Sequence, residues 1–166
     1  MSSCITQACS AALLAFALMV SSTAPGATED LKPSVSASGV IAAKSAYGME
    51  ETVDRLKKDI ATKGIVFFQE IDQAGLAAKA GIELRPSVLL VFGNPPLGTQ
   101  FITANPQAGL DWPVRLLVYR DAAGVVWTAY TDFAWIARRH GVDSRDAQFH
   151  MATEVAASIA ASVAAH

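Results

Sequence analysis

The chain has 166 residues, 52% apolar and 17% charged, and its 13 basic and 15 acidic side chains leave a formal charge of −2. That is too much core-forming material for a disordered chain and suits one compact domain. It also excludes the strong positive field that draws a protein to nucleic acid or to an anionic membrane.

No charged side chain precedes Glu29, and the apolar run Ala11–Val20 (AALLAFALMV) is followed by the small-residue stretch Ser21–Ala27. This is the pattern of a secretory signal at 1–27, cleaved after Ala24 or Ala27, although the usual basic start is missing. The run is well short of the ~20 residues a spanning helix needs, so removal is expected rather than a stable membrane anchor. Both cysteines, Cys4 and Cys9, precede the run, so the exported domain has no disulfide, thiol nucleophile or thiolate metal site. A short polar linker at 28–33 leads into a single domain at 34–166.

Alternation of Val35, Ala37, Ile41 and Ala43 with polar residues predicts a first strand over 34–44. Met49, Val53, Leu56 and Ile60 recur at helical spacing with Gly64 beyond them, which predicts an amphipathic helix. Residues 65–71 (IVFFQEI) and 88–92 (VLLVF) read as buried strands. Between them Asp72 caps a short helix that Gly81 ends. Asn94 as cap and Pro95 as first residue predict a helix over 95–104. Strands at 114–120 and 125–130 flank Asp121–Gly124 as a hairpin. Asp132 opens a short helix stopped by Gly141, and Ser144 opens a last one, about 144–165, with Phe149, Ala152, Val155, Ile159 and Val163 on one face. The order β-α-β-α-β-α-β-β-α-α argues for an α+β layer structure.

Several segments are more specific: Ala80-Gly81-Ile82-Glu83-Leu84-Arg85-Pro86, Val91-Phe92-Gly93-Asn94-Pro95, Gly109-Leu110-Asp111-Trp112-Pro113, Val118-Tyr119-Arg120-Asp121 through Gly124, and Tyr130-Thr131-Asp132. With Glu51-Thr52, Leu56, Gly64 and Ile71-Asp72 upstream, residues 40–142 resemble the domain-of-unknown-function family numbered 302. The resemblance implies a β-α-β(4)-α domain with a curved, mostly antiparallel sheet of about five strands, helices on one face, and an outline like a half-repeat of TATA-box-binding protein. It implies frequent dimers and no known reaction. Members commonly carry histidine after the aspartate at 72, where this chain has Gln73, which neither titrates near neutrality nor ligates metals well.

Glu51, Asp72 and Asp111 are the candidate catalytic carboxylates, since a pair held together can divide acid and base roles. The alternatives are a first-turn acid, an N-cap and a turn residue. Asp72, Gln73, Asn94, Tyr119 and Tyr130 are the candidate ligand-binding groups. Gly93-Asn94-Pro95 could hold an anion at a helix start, but Pro95 and Pro96 lack two of the N–H donors needed. Tyr119 and Tyr130 could present hydroxyls from one sheet face, and Trp112, Trp127 and Trp135 could line an apolar pocket or a dimer interface. His140 and His150 lack zinc spacing, and Arg138-Arg139-His140 reads as a solvated helix end. No cofactor or nucleotide motif occurs. The sequence supports an exported homodimeric module that binds a small molecule. An acid/base enzyme, or an assembly protein using the alanine-rich last helix, are the alternatives.

Overall fold

The computed structural model describes residues 35–165, and the signal and linker readings fall outside them. The elements run β1 (Val40–Lys44), α1 (Met49–Thr62), β2 (Val66–Asp72), α2 (Gln73–Lys79), β3 (Ser87–Gly93) and α3 (Pro95–Ala104). A 3-10 turn (Pro106–Leu110), β4 (Val114–Arg120), β5 (Val126–Thr131), α4 (Phe133–His140) and α5 (Asp146–Ala161) follow. Apart from the added 3-10 turn, this is the predicted order. All strand pairs are antiparallel, in the order β1-β5-β4-β3-β2.

Period-two alternation sends Leu90, Phe92, Leu116 and Val118 to one face of the sheet, where they are almost wholly buried. The helical spacing of α1 brings Val53, Leu56 and Ile60 onto them, and Ile159 and Val163 complete that cluster. Burial of each such side chain contributes roughly 1.5–3 kcal/mol. A second cluster joins Phe101, Phe133 and Phe149, with Phe101 and Phe149 stacked at 4.2 Å between ring centroids. The small Ala152, Ala156 and Ala160 let α5 lie close over this layer. The apolar face of α5 is thus packed on its own core.

Just past the end of β1, Ser45 and Thr52 are buried and joined through their hydroxyls at 2.7 Å. Thr52 Oγ1 donates to Gly48 O at 2.8 Å, so the Glu51-Thr52 motif locks α1 to β1. The chain end joins in: Ala165 N donates to Lys44 O at 2.9 Å.

The first strand is shorter than its alternation predicts. Gly39 has φ +78° and its N–H donates to Ser36 O at 2.9 Å, which closes a turn and leaves Val35 bridged to Ile41 but 52% exposed. A side chain at 39 would also collide with the indole of Trp135. The extended run therefore begins only at Val40. Likewise α5 starts at Asp146, not Ser144, with no side-chain cap.

The β4–β5 hairpin is held by one carboxylate. Asp121 Oδ1 accepts from the N–H groups of Ala123 and Val125, both at 2.9 Å, and Oδ2 accepts from Trp127 Nε1 at 2.8 Å. The indole first, then the Val125 amide, holds the Asp121 pKa below its ordinary 3.8. A depressed acid contributes stability that is present above its unfolded pKa and is lost as pH falls through the folded value. In Trp127→Phe the Asp121 titration, followed through its carboxyl carbon by NMR, should move upward while staying below the ordinary value. An unchanged titration would show that the indole does not set it.

Candidate functional site

Of the three candidate carboxylates only Asp111 is buried. It follows the 3-10 turn, and β4 and α4 bring two arginines and a histidine to it. Arg115 Nη2 lies 3.1 Å away, Arg139 Nη1 3.2 Å, and His140 Nε2 2.6 Å. An ionised carboxylate only accepts, so Nε2 of His140 carries the hydrogen. Arg115 also donates to Leu110 O at 2.9 Å, and Asn105 Nδ2 donates to His140 O at 2.7 Å. The group therefore ties the start of β4, the 3-10 turn and the end of α4 together. His140 is buried in this clasp, not part of a solvated helix end as its sequence neighbours suggested. The reason is register: on α4, position 140 falls on the same side as the buried Phe133 and Ile136.

The other carboxylates are far from such a role. Glu51 is an exposed acid paired with Arg55 at 2.8 Å. Asp72 caps α2 by accepting from Gly75 N at 2.9 Å. No two candidate carboxylates share a partner, so the structure assembles no acid/base pair from them.

The candidate ligand groups are dispersed too. Gln73 accepts from Ser87 Oγ at 2.7 Å beside Asp72. Asn94 caps α3, its Oδ1 accepting from Leu97 N at 3.3 Å. Asp72 pairs with Val88 at the start of β3 and Asn94 follows its end, a separation of roughly 20 Å at strand rise. Tyr119 and Tyr130 occupy opposite faces: Tyr119 stands across from Trp127 and Ser87, while Tyr130 faces the core opposite Leu116 and Ile41. Burial first, and then the charge of Asp132, raises the Tyr130 pKa above its ordinary value. The three tryptophans also part company, Trp127 on Asp121, Trp135 on Gly39 and Trp112 between Gly93 and Gly98.

Trp112, one of the three tryptophans offered as lining an apolar pocket, does border a crevice, though the slot that holds it was not legible. Its indole lies where side chains at 93 and 98 would be: a Cβ at 93 would come within 3.1 Å of Nε1, and one at 98 would overlap the ring. Phe68, at an irregularity in β2, meets the same ring edge-on at 6.0 Å and is 46% exposed. Behind Trp112 runs an apolar crevice with a cavity volume of about 30 Å³, lined by Ile65, Leu97, Phe101, Phe133, Val155 and, as its polar side chain, Asn94. It is narrow, and a guest larger than a few atoms requires Trp112 to shift. Among the described residues, no cluster of three or more His, Cys, Asp or Glu side chains could hold a metal. No helix among them is long and apolar enough to cross a membrane.

A single antiparallel sheet with its helices on one face, a carboxylate clasp and a tryptophan-closed crevice define a small α+β domain. Residues 41–165 match the model of the family described as "Domain of unknown function DUF302", and the chain belongs to that family. The match runs on through α5. The crystal structure of uncharacterized conserved protein DUF302 from Bacillus stearothermophilus has the same fold, with a TM-score of 0.69 at 17% identity over 75% of this chain and 98% of that one. The chain is also 35% identical over 105 residues to fluoride-specific ion channel FluC 1 of Brucella suis biovar 1 (strain 1330), covering 63% of this chain and 41% of that protein. The likeness to fluoride-specific ion channel FluC 2 of Brucella melitensis biotype 1 (strain 16M) is also 35% over 105 residues, or 39% of that protein. The shared stretch spans about two fifths of these relatives.

Two stability outcomes follow from this geometry. Asp111→Asn should cost about 2–4 kcal/mol in urea unfolding, because it leaves buried donors facing a neutral amide. The half-exposed arginines keep the figure below that of a fully buried triad, and Glu51→Ala should cost less than about 1 kcal/mol. Equal losses would remove the clasp's special role. Gly98→Ala should destabilise by about 1–3 kcal/mol and expose Trp112, read from denaturant midpoint and fluorescence maximum, whereas Gly109→Ala, whose Cβ would meet Ile102 only at an ordinary 3.8 Å, should stay within about 0.5 kcal/mol.

Proposed function

We propose that this chain is an exported, non-enzymatic binding domain that acts as a homodimer and takes a small apolar molecule in the crevice behind Trp112. The crevice carries the reading: its lining is aromatic and aliphatic, with Asn94 and the indole N–H at hand to orient a guest, which is the usual make-up of a small-molecule site. The carboxylates support it from the other side. Glu51, Asp72 and Asp111 are each engaged in a separate ion pair or cap, so no two of these carboxylates converge to divide acid and base roles. The apolar run at Ala11–Val20 supports export.

The Brucella relatives favour a second reading, in which the domain serves beside an ion channel. In those proteins the similar stretch is about two fifths of a chain named for fluoride conduction. Its counterpart here has no membrane-crossing helix among the described residues, so a pore would have to be supplied by another part or another chain.

Thermal melting against indole, toluene, medium-chain fatty acids and sodium fluoride separates the readings. An apolar guest at a hundred times its dissociation constant should stabilise by about 2.7 kcal/mol. Val155→Phe, which fills the crevice from α5, should abolish that shift while the protein stays folded. No shift with any apolar probe sinks the first reading, and a shift with fluoride alone carries the second.

A further inference from the structure

The face of the sheet turned away from the helices has an organisation of its own. The strand registers line up Ala42, Ala129, Leu117, Leu89 and Ile71 as one continuous apolar row across all five strands. None of the five belongs to either apolar cluster of the core. On one side the row is flanked by Lys44, Trp127, Tyr119 and Ser87, and on the other by Val40, Thr131, Arg115, Val91 and Gln69. An apolar centre with a polar and aromatic rim is the anatomy of a protein interface.

We infer that this face is the contact between two copies of the chain, packed sheet on sheet about a two-fold axis parallel to the strands through β4. The inference rests on the homodimer reading above and adds where the copies meet. The row is self-complementary about its middle. The central strand is β4, with Leu117 on the axis; the small Ala42 and Ala129 lie to one side and the bulky Leu89 and Ile71 to the other. Rotation about that axis sets the alanines of one copy opposite the leucine and isoleucine of the other, with Leu117 against Leu117. It also keeps the strands of the two sheets aligned, the common way for sheets to pack.

Charge and area agree with this. The acidic side chain at its rim, Asp121, is taken up by the indole of Trp127, and Arg115, which nears its counterpart on the axis, is already paired with its own Asp111. Lys44 sits at the outer strand, where its amine reaches solvent. Five strands about 4.8 Å apart and some 20 Å long give a flat footprint of about 500 Å². Side-chain relief adds to that, which approaches the roughly 600 Å² per partner at the lower end of stable interfaces.

Sedimentation equilibrium of the exported protein tests the arrangement. The wild type should have twice the chain mass at micromolar concentration. Leu117→Lys places two like charges on the axis and should weaken the dimer at least about thirtyfold, leaving a folded monomer. Leu117→Glu should do the same, and an equimolar mixture of the two should recover the dimer mass. Should Leu117→Lys fail to fold, Ala42→Lys on the edge strand gives the same reading in a position that tolerates lysine. A monomeric wild type, as when residues before 35 cover the face, overturns both this contact and the homodimer. A wild-type dimer that Leu117→Lys leaves intact, or a mixture that stays monomeric, overturns the contact alone.

Discussion

A five-stranded sheet has two faces, and this chain supplies helices for one. Everything in the core follows from that constraint. α1 and α5 lie across the sheet, and α3 and α4 close the layer around Phe101, Phe133 and Phe149. Two large helices can lie side by side there only if one of them is slim, which is why α5 offers Ala152, Ala156 and Ala160 where α1 offers Leu56 and Ile60. The remaining stretch, from the 3-10 turn to the end of α4, has little apolar surface of its own. It is fastened instead by polar groups, Asp111 taking donors from β4 and α4 while Asn105 takes the end of α4.

Most of the layer was legible because its signals are local. Caps and stops bound the helices where the sequence placed them: Asp72, Asn94 and Asp132 each accept the backbone hydrogen bonds expected of them. The hairpin was equally plain, since Asp121 and Gly124 fix its turn without outside help. The failure at the first strand has the opposite character. Val35 and Ala37 alternate like strand residues, but the turn at Gly39 is set by the packing of Trp135, 96 positions away in sequence and invisible to a period-two count. Tyr119 and Tyr130 failed for a related reason. Both are on strands, yet their faces depend on a register that only the pairing of β4 with β5 reveals.

The site was less legible than the fold, and the difference is one of distance along the chain. Asp111 stood out as part of a motif, but its partner His140 is separated from it by 29 residues and sits in a run that reads as a solvated helix end. Trp112 likewise fits a slot made by Gly93 and Gly98 on other elements, so those glycines, which read as a strand end and a helix interior, are there for the indole. Motifs in such a chain record contacts whose other half is unmarked. The sequence therefore points to residues that matter without saying whether they hold the fold or meet a ligand, and in Asp111 the contacts seen are those to β4 and α4.

The ends of the domain bear on how it can serve larger proteins. Val35 bridges Ile41 and Ala164 bridges Ser45, so both ends of the described chain come to β1. Trp112, which borders the crevice, lies toward the other side of the sheet, where Phe68 of β2 meets its ring. Four strand spacings separate these edges, roughly 19 Å. A domain whose two ends meet on one edge can be joined to another chain without disturbing its core. A linker attached there starts at the edge away from Trp112 and two strands from the middle of the apolar row at Leu117. The two-fifths share that a similar stretch holds in the Brucella channels is what such a portable domain allows. It also sets a condition on the proposed pairing of copies: a fused neighbour at β1 must be carried outward past Lys44, because inward it would meet the second sheet.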